Sequence, residues 1–104
     1  MALYLAQIAY APEGMASLMQ KPHGRSEAVV LEKLGGRIEA AWWSLGEYQV
    51  IAVFQVPDAV AVAALGLAFL GGGACKDVKL TPLLSIDEAI EAMKKAGAAG
   101  RAGG

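Results

Sequence analysis

Apolar residues dominate positions 37–56, and Gly46-Glu47 divides this stretch into two arms. The branched and aromatic residues of the two arms are typical of β-strands. Glycine at the first central position predicts a two-residue type II′ turn, because glycine takes the positive φ of that position without steric cost. The pattern therefore predicts a β-hairpin. Its register would pair Leu45 with Tyr48, Trp43 with Val50, Trp42 with Ile51, Ala41 with Ala52, Ala40 with Val53, Glu39 with Phe54 and Ile38 with Gln55.

Both faces of this hairpin are largely apolar. Side chains alternate between the two faces of a strand. This places Ala41, Trp43, Tyr48, Val50, Ala52 and Phe54 on one face and Ile38, Ala40, Trp42, Ile51 and Val53 on the other. A strand pair that is buried on one face alone should be polar on the other. We therefore expect helices to cover one face and a partner subunit to cover the other.

Further strand and helix patterns flank the hairpin. Strand patterns cover residues 3–10 and 74–83, and helix patterns cover 13–20, the stretch from Arg25 or Ser26 to Leu34, 59–70 and 85–95. Asp58 and Ser85 are good N-caps, and Glu88 completes a capping box with Ser85. Gly35 is a typical left-handed C-cap. The helix over 59–70 is apolar nearly all round, which predicts that it is mostly buried.

The resulting order is β-α-β-β-α-β followed by an extra C-terminal helix. This is the ferredoxin-like arrangement of the α+β class, with a four-stranded antiparallel sheet and helices on one face. Lys76 and Lys79 suit an edge position for the last strand. Two such sheets that meet through their bare faces form a dimeric α+β barrel, which the doubly apolar hairpin favours. We expect one domain over residues 1–95 and a flexible Gly/Ala tail over 96–104.

Composition narrows the functional classes. The chain has 104 residues, of which 56% are hydrophobic. The apolar residues in excess of the usual fraction must be buried in an oligomer interface, line a pocket or be alanines that fill space. A net charge of −1 without a basic stripe argues against nucleic-acid binding. The single Cys75 allows no intramolecular disulfide, and no basic residue precedes Lys21 as in a signal peptide. The apolar run over 59–75 is short and ends in glycines, so we expect a cytoplasmic protein without a membrane span.

Four residues are candidates for ligand binding. Tyr48 and Glu47 lie at the predicted hairpin tip, where a phenol and a carboxylate could bind or protonate a ligand. In the alternative interpretation, Glu47 is a solvated turn residue and Tyr48 packs across from Leu45. Trp43 could line a pocket, although a large aromatic is typical of a core or an interface. His23 has a suitable pKa for catalysis but lies between proline and glycine, which is typical of an exposed loop. A lone histidine and a distant Cys75 predict no metal site, and no cofactor motif is present.

Four segments carry a resemblance to a known family. They are YLAQIAYAPEG, LEKLGGRIEA, LGEYQVIAVFQVPD and KLTPLLSIDEA, in order between residues 4 and 89. The chain resembles the small bacterial GYD-domain family, whose motif has glycine, tyrosine and aspartate. Gly46 and Tyr48 match this motif, whereas Gln49 replaces the aspartate. The resemblance implies a dimeric α+β barrel but no catalytic residue, because the family has no settled activity.

Three functional hypotheses follow. The first is a homodimeric binding or accessory domain with a small apolar cavity in each protomer. The second is a cofactor-free enzyme, similar to monooxygenases or isomerases of related barrels, that acts on a small aromatic substrate with His23, Tyr48 and Trp43. This hypothesis rests on fold analogy alone. The third is a structural protein whose dimers stack into larger assemblies.

Overall fold

The computed structural model describes residues 2–22 and 27–103. Its elements are β1 (Ala2–Tyr10), α1 (Pro12–Gln20), α2 (Glu27–Lys33), β2 (Arg37–Trp43), β3 (Val50–Val56), α3 (Ala59–Gly71), β4 (Cys75–Leu83) and α4 (Ile86–Gly103). This order confirms the predicted α+β class and is consistent with a ferredoxin-like fold. The predicted starts of the second helical stretch, Arg25 and Ser26, lie outside the described residues.

The four strands form one antiparallel sheet in the order β2-β3-β1-β4. The hairpin strands β2 and β3 are neighbours, and β1 lies between β3 and β4. Strand β4 is therefore an edge strand, as Lys76 and Lys79 predicted. Both lysines are exposed, and charged side chains on an edge oppose pairing with another sheet.

The core lies between one face of the sheet and the helices α2 and α3. It contains Ala6, Ile8, Tyr10, Leu31, Val50, Ala52, Phe54, Val56, Ala61, Leu65, Phe69 and Cys75. The opposite face, which we call the open face, carries apolar side chains that are half-buried or exposed, apart from the buried Ala9. It includes Leu3, Leu5, Trp42, Ile51 and Val53. The helices thus cover one face of the hairpin, as expected from the pattern.

The predicted hairpin register is confirmed next to the connection but the predicted turn is wrong. Trp43 pairs with Val50 and Trp42 pairs with Ile51, as expected. The strands stop there, and six residues, 44–49, join them instead of two. Among the described residues only Gly35 and Gly73 have positive φ, so Gly46 does not form a type II′ turn. Side-chain hydrogen bonds described below hold the longer connection.

A bulge changes the register at the far end of the hairpin. The pairing shifts between Ile38 and Ala40, so Ile38 pairs with Phe54 and not with Gln55 as predicted. The predicted register would have put the Glu39 carboxylate opposite Phe54, on the face that the helices cover. Burying a charge there is costly. In the bulge, the Glu39 carboxylate is partly exposed and lies 3.0 Å from the Arg37 Nε.

The predicted helix caps at Asp58 and Ser85 are confirmed. The Ala61 N–H donates to the Asp58 carboxylate at 2.9 Å. The Glu88 N–H donates to the Ser85 Oγ at 3.0 Å, and the Ser85 N–H donates to the Glu88 carboxylate at 2.9 Å. These bonds satisfy N–H groups that have no partner within the helix.

Two helix predictions are corrected. Helix α3 buries only a stripe of Ala61, Leu65 and Phe69, whereas Leu67 is 72% exposed. The side of α3 that faces away from the sheet is exposed, because no other element of the described chain packs over it. The apolar composition of α3 therefore does not make it mostly buried. Helix α4 continues to Gly103 and not to Lys95, because alanine favours helix strongly enough to offset the interspersed glycines. Within the described ranges no helix has the length and hydropathy needed to cross a membrane.

Helix α1 packs very closely against the start of β4. The Ala11 N–H donates to the Ala74 carbonyl at 2.9 Å. A Cβ atom built on Gly14 would lie 2.1 Å from the same carbonyl oxygen. Only a residue without a side chain can occupy position 14 at this approach.

Candidate functional site

A small cavity lies between the sheet and the helices α2 and α3. Its volume is about 70 Å³. The lining side chains are all apolar and belong to Ala6, Ile8, Ala28, Leu31, Ile38, Ala41, Val50, Ala52, Phe54, Leu65 and Phe69. A water molecule needs about 10–15 Å³ of such volume and two to four polar partners. The cavity therefore has room for part of a small molecule, and its lining side chains favour an apolar group.

A row of three alanines explains why the sheet leaves this space. Ala41 pairs with Ala52, and Ala52 pairs with Ala6, so the three side chains lie side by side on β2, β3 and β1. All three line the cavity. Each methyl group is much shorter than the valine, leucine or phenylalanine side chains around it. The row therefore forms a shallow floor across three strands.

The helices form the opposite wall. Leu65 and Phe69 are four residues apart on α3, so they project from the same face of that helix. Leu31 of α2 completes the wall and is 3% exposed. Phe54 of β3 closes one side and lies 6.0 Å from the Tyr4 ring. These side chains are buried, which keeps the floor and the wall in fixed positions.

The cavity has exposed residues at the edge between α2 and β2. Ala28 and Ala41 are exposed, and Ile38 is 42% exposed. Ile38 lines the cavity, and the bulge at Glu39 sets its pairing opposite Phe54. These three residues line the open side of the cavity, which we call its mouth.

Three of the four predicted site residues lie outside the cavity. Tyr48, Trp43 and Glu47 are not among the lining residues. Trp43 stacks on Tyr10 with a centroid distance of 6.2 Å, and Glu47 is exposed in the hairpin connection. His23 lies outside the described residues. Their roles in ligand binding or catalysis stay predictions.

Tyr48 reaches across the end of β1 to the edge strand β4. Its hydroxyl donates to the Asp77 carboxylate with an oxygen–oxygen distance of 2.5 Å. The Lys79 ammonium group lies 5.6 Å from the centroid of the Tyr48 ring, a favourable cation–π distance. These contacts fasten the hairpin connection to β4 and form a polar cluster, which we call the Tyr48 cluster.

The Asp77 carboxylate raises the pKa of Tyr48 to about 12, mainly through this hydrogen bond. The bond needs the neutral phenol, so it stabilises the fold below pH 10, the ordinary pKa of tyrosine. Its contribution is lost as the pH rises through 12. We expect Asp77→Asn to lower the pKa of Tyr48 towards 10, measured by NMR titration of the tyrosine ring. Asp87→Asn, a distant exposed carboxylate, serves as the control, and an unchanged Tyr48 titration in Asp77→Asn would contradict the assignment.

The Gln49 side chain holds the hairpin connection through three hydrogen bonds. Its Oε1 accepts a hydrogen bond from the Tyr10 N–H at 3.0 Å, at the end of β1. Its Nε2 donates to the carbonyl oxygens of Gly46 and Glu47 at 3.3 and 3.2 Å. An aspartate could accept the first bond but could not donate the other two. The residue that departs from the family motif thus has a defined structural role.

No metal site is evident in the part of the chain that the structure describes. No group of three or more His, Cys, Asp or Glu side chains there is arranged to hold a metal ion. Cys75 is a buried member of the hydrophobic core.

Comparison with known proteins gives one positive result. No curated protein and no solved structure matches the chain. The GYD domain matches residues 4–93, which include the cavity, the hairpin connection and the Tyr48 cluster. This match spans most of the sequence, and the chain therefore belongs to the GYD domain family.

Proposed function

We propose that this protein is a homodimeric domain that binds a small apolar ligand between its sheet and its helices. The observation that carries the proposal is the cavity of about 70 Å³, whose lining side chains are all apolar. Protein cores contain few voids of this size, because side chains pack to near-crystalline density. A void that lies beside exposed residues at a sheet edge is a reasonable place for a ligand.

The lining defines the class of ligand. A hydroxyl or amide group buried there without a partner would cost about 1–3 kcal/mol. The buried part of the ligand is therefore a small hydrocarbon group, such as a methyl group or a short branched chain. A polar end would remain at the mouth, near Ala28 and Ile38, where water can reach it.

The open face supports the homodimer. Half-buried aliphatic side chains from β1 and β3 lie there, beside Trp42, which is 59% exposed. Exposed apolar patches of this kind mark interaction sites in soluble proteins. A second copy would bring an identical patch, and a two-fold axis allows two identical patches to cover each other.

The test is a titration of the protein with toluene, monitored through the chemical shifts of its backbone amides. Wild type is expected to show saturable shifts at cavity residues, with Ala52 and Leu31 among them. Ala52→Val should weaken binding on the order of tenfold or more, because the added methyl groups occupy the floor. Light scattering on the same samples is expected to give the mass of a dimer.

Ala63→Val is the matched control, because Ala63 is exposed on α3 and outside the lining. It should bind toluene like wild type. Ala41→Val at the mouth provides a second cavity variant if Ala52→Val folds poorly. Toluene binding that both cavity variants leave unchanged would refute the ligand site, and a monomeric mass at micromolar concentration would refute the dimer.

A further inference from the structure

Helix α4 exposes its apolar side. Ala89 is half-buried, and every other side chain from Ile86 to Gly100 is exposed. The exposed set includes Ile86 at 77%, Ile90 at 44% and Met93 at 69%. An amphipathic helix in a protein gains most of its stability from packing its apolar face. The helix therefore needs a partner surface that the rest of the described chain does not provide.

The apolar residues of α4 form a heptad seam. Ile86, Ile90, Met93 and Gly97 follow one another at intervals of four, three and four residues. This is the spacing of the contact positions in a pair of supercoiled helices. The seam occupies the first three turns of a helix that is about 27 Å long.

We propose that α4 pairs with α4 of a second copy of this chain in antiparallel orientation. In this register Ile90 packs against Met93 of the second copy, and Ile86 packs against Gly97 of the second copy. The Ile86–Gly97 layers then join a large residue with a small one, and the Ile90–Met93 layers join two large apolar side chains. A parallel pair would instead place Gly97 against Gly97 and leave a gap, and would crowd Ile86 against Ile86.

The charges beside the seam favour the same orientation. Asp87 and Lys94 occupy equivalent flanking positions, seven residues apart. Antiparallel pairing brings Asp87 of each copy near Lys94 of the other, and the two-fold axis makes this contact twice. Ala89 and Ala96 occupy the other flank, where small side chains allow the helices to approach closely. In a parallel pair the flanking partners would be Ala89 and Lys94, without opposite charges.

This contact is separate from the open face and from the cavity. A seam of about two heptads is marginal by itself in water. A second contact between the same copies would raise its effective concentration to the millimolar range. The two contacts can be tested with different variants, so failure of one does not decide the other.

Disulfide cross-linking tests the orientation directly. Chains with Ile86→Cys and chains with Gly97→Cys are mixed and oxidised, and the products are separated by mass. Antiparallel pairing is expected to give mainly the mixed product, at least several-fold above either product with two like chains. Wild type, whose Cys75 is buried, measures the background. A predominant product between two Ile86→Cys chains, or cross-linking no higher than background, would overturn the proposal.

A charge exchange tests the flanking contact. Asp87→Lys alone and Lys94→Asp alone each place like charges opposite one another in an antiparallel pair. When the two variants are mixed, both contacts become attractive again. Each charge variant also carries both Ile86→Cys and Gly97→Cys, so that every pair of chains can cross-link. The mixture is then expected to cross-link roughly fivefold more than either charge variant alone. Equal yields in all three samples would overturn the assigned register.

Discussion

Replacing Leu65 with alanine is expected to lower the free energy of unfolding by about 2–5 kcal/mol. Leu65 is 2% exposed and forms part of the cavity wall, so its truncation enlarges a void that the neighbours already fail to fill. The measurement is urea unfolding followed by tryptophan fluorescence. Protein concentration must be fixed, because an oligomer makes the apparent stability depend on it.

Leu67→Ala supplies the matched control in the same helix. Leu67 is 72% exposed, and its truncation is expected to change the free energy of unfolding by less than about 0.5 kcal/mol. Equal losses at the two positions would contradict the packing of α3 described here. They would indicate that a surface of another molecule covers the outer side of α3 in solution.

Gly14→Ala is expected to destabilise the protein by about 2–4 kcal/mol, although alanine is the better helix former. The new Cβ atom would lie 2.1 Å from the Ala74 carbonyl oxygen. That oxygen belongs to the backbone, so it cannot move aside as a flexible side chain could. Helix α1 would have to shift away and lose the hydrogen bond from the Ala11 N–H.

Gly71→Ala tests whether the stability lost in Gly14→Ala comes from the contact with the Ala74 carbonyl oxygen. Apart from its chain neighbours and the nearby backbone of its own helix, no atom of the described residues lies within 4 Å of a Cβ built on Gly71, which is also a helical residue. The substitution should be neutral or stabilise by up to about 1 kcal/mol. If Gly14→Ala matched this outcome in urea unfolding, α1 would not lie against β4 as described.

Local sequence patterns predicted the elements well, because their causes are local. The caps at Asp58 and Ser85 depend on residues three positions away. The hairpin connection was predicted incorrectly because its cause is distant. The Gln49 side chain bonds Tyr10, which is 39 residues away, and Tyr48 bonds Asp77, which is 29 residues away. A glycine in a turn-like position does not reveal such contacts.

The cavity also depends on contacts between residues that are distant in the sequence. The pairing of Ala41 with Ala52 could be predicted from the hairpin, but Ala6 joins them only through the pairing of β1 with β3. Sequence reasoning counted alanines as filler and looked for a site among aromatic and ionisable residues. Three small residues at one level of adjacent strands are the signal that could have indicated the cavity.

The identity of residue 49 has a consequence for the response of the hairpin connection to acid. A side-chain carboxylate in this place would become protonated in mild acid and lose much of its strength as an acceptor. The Gln49 amide does not titrate, so its bonds to Tyr10, Gly46 and Glu47 persist through that range. An aspartate at position 49, as in the family motif, would make the connection sensitive to acid, whereas the present chain holds it with an uncharged group.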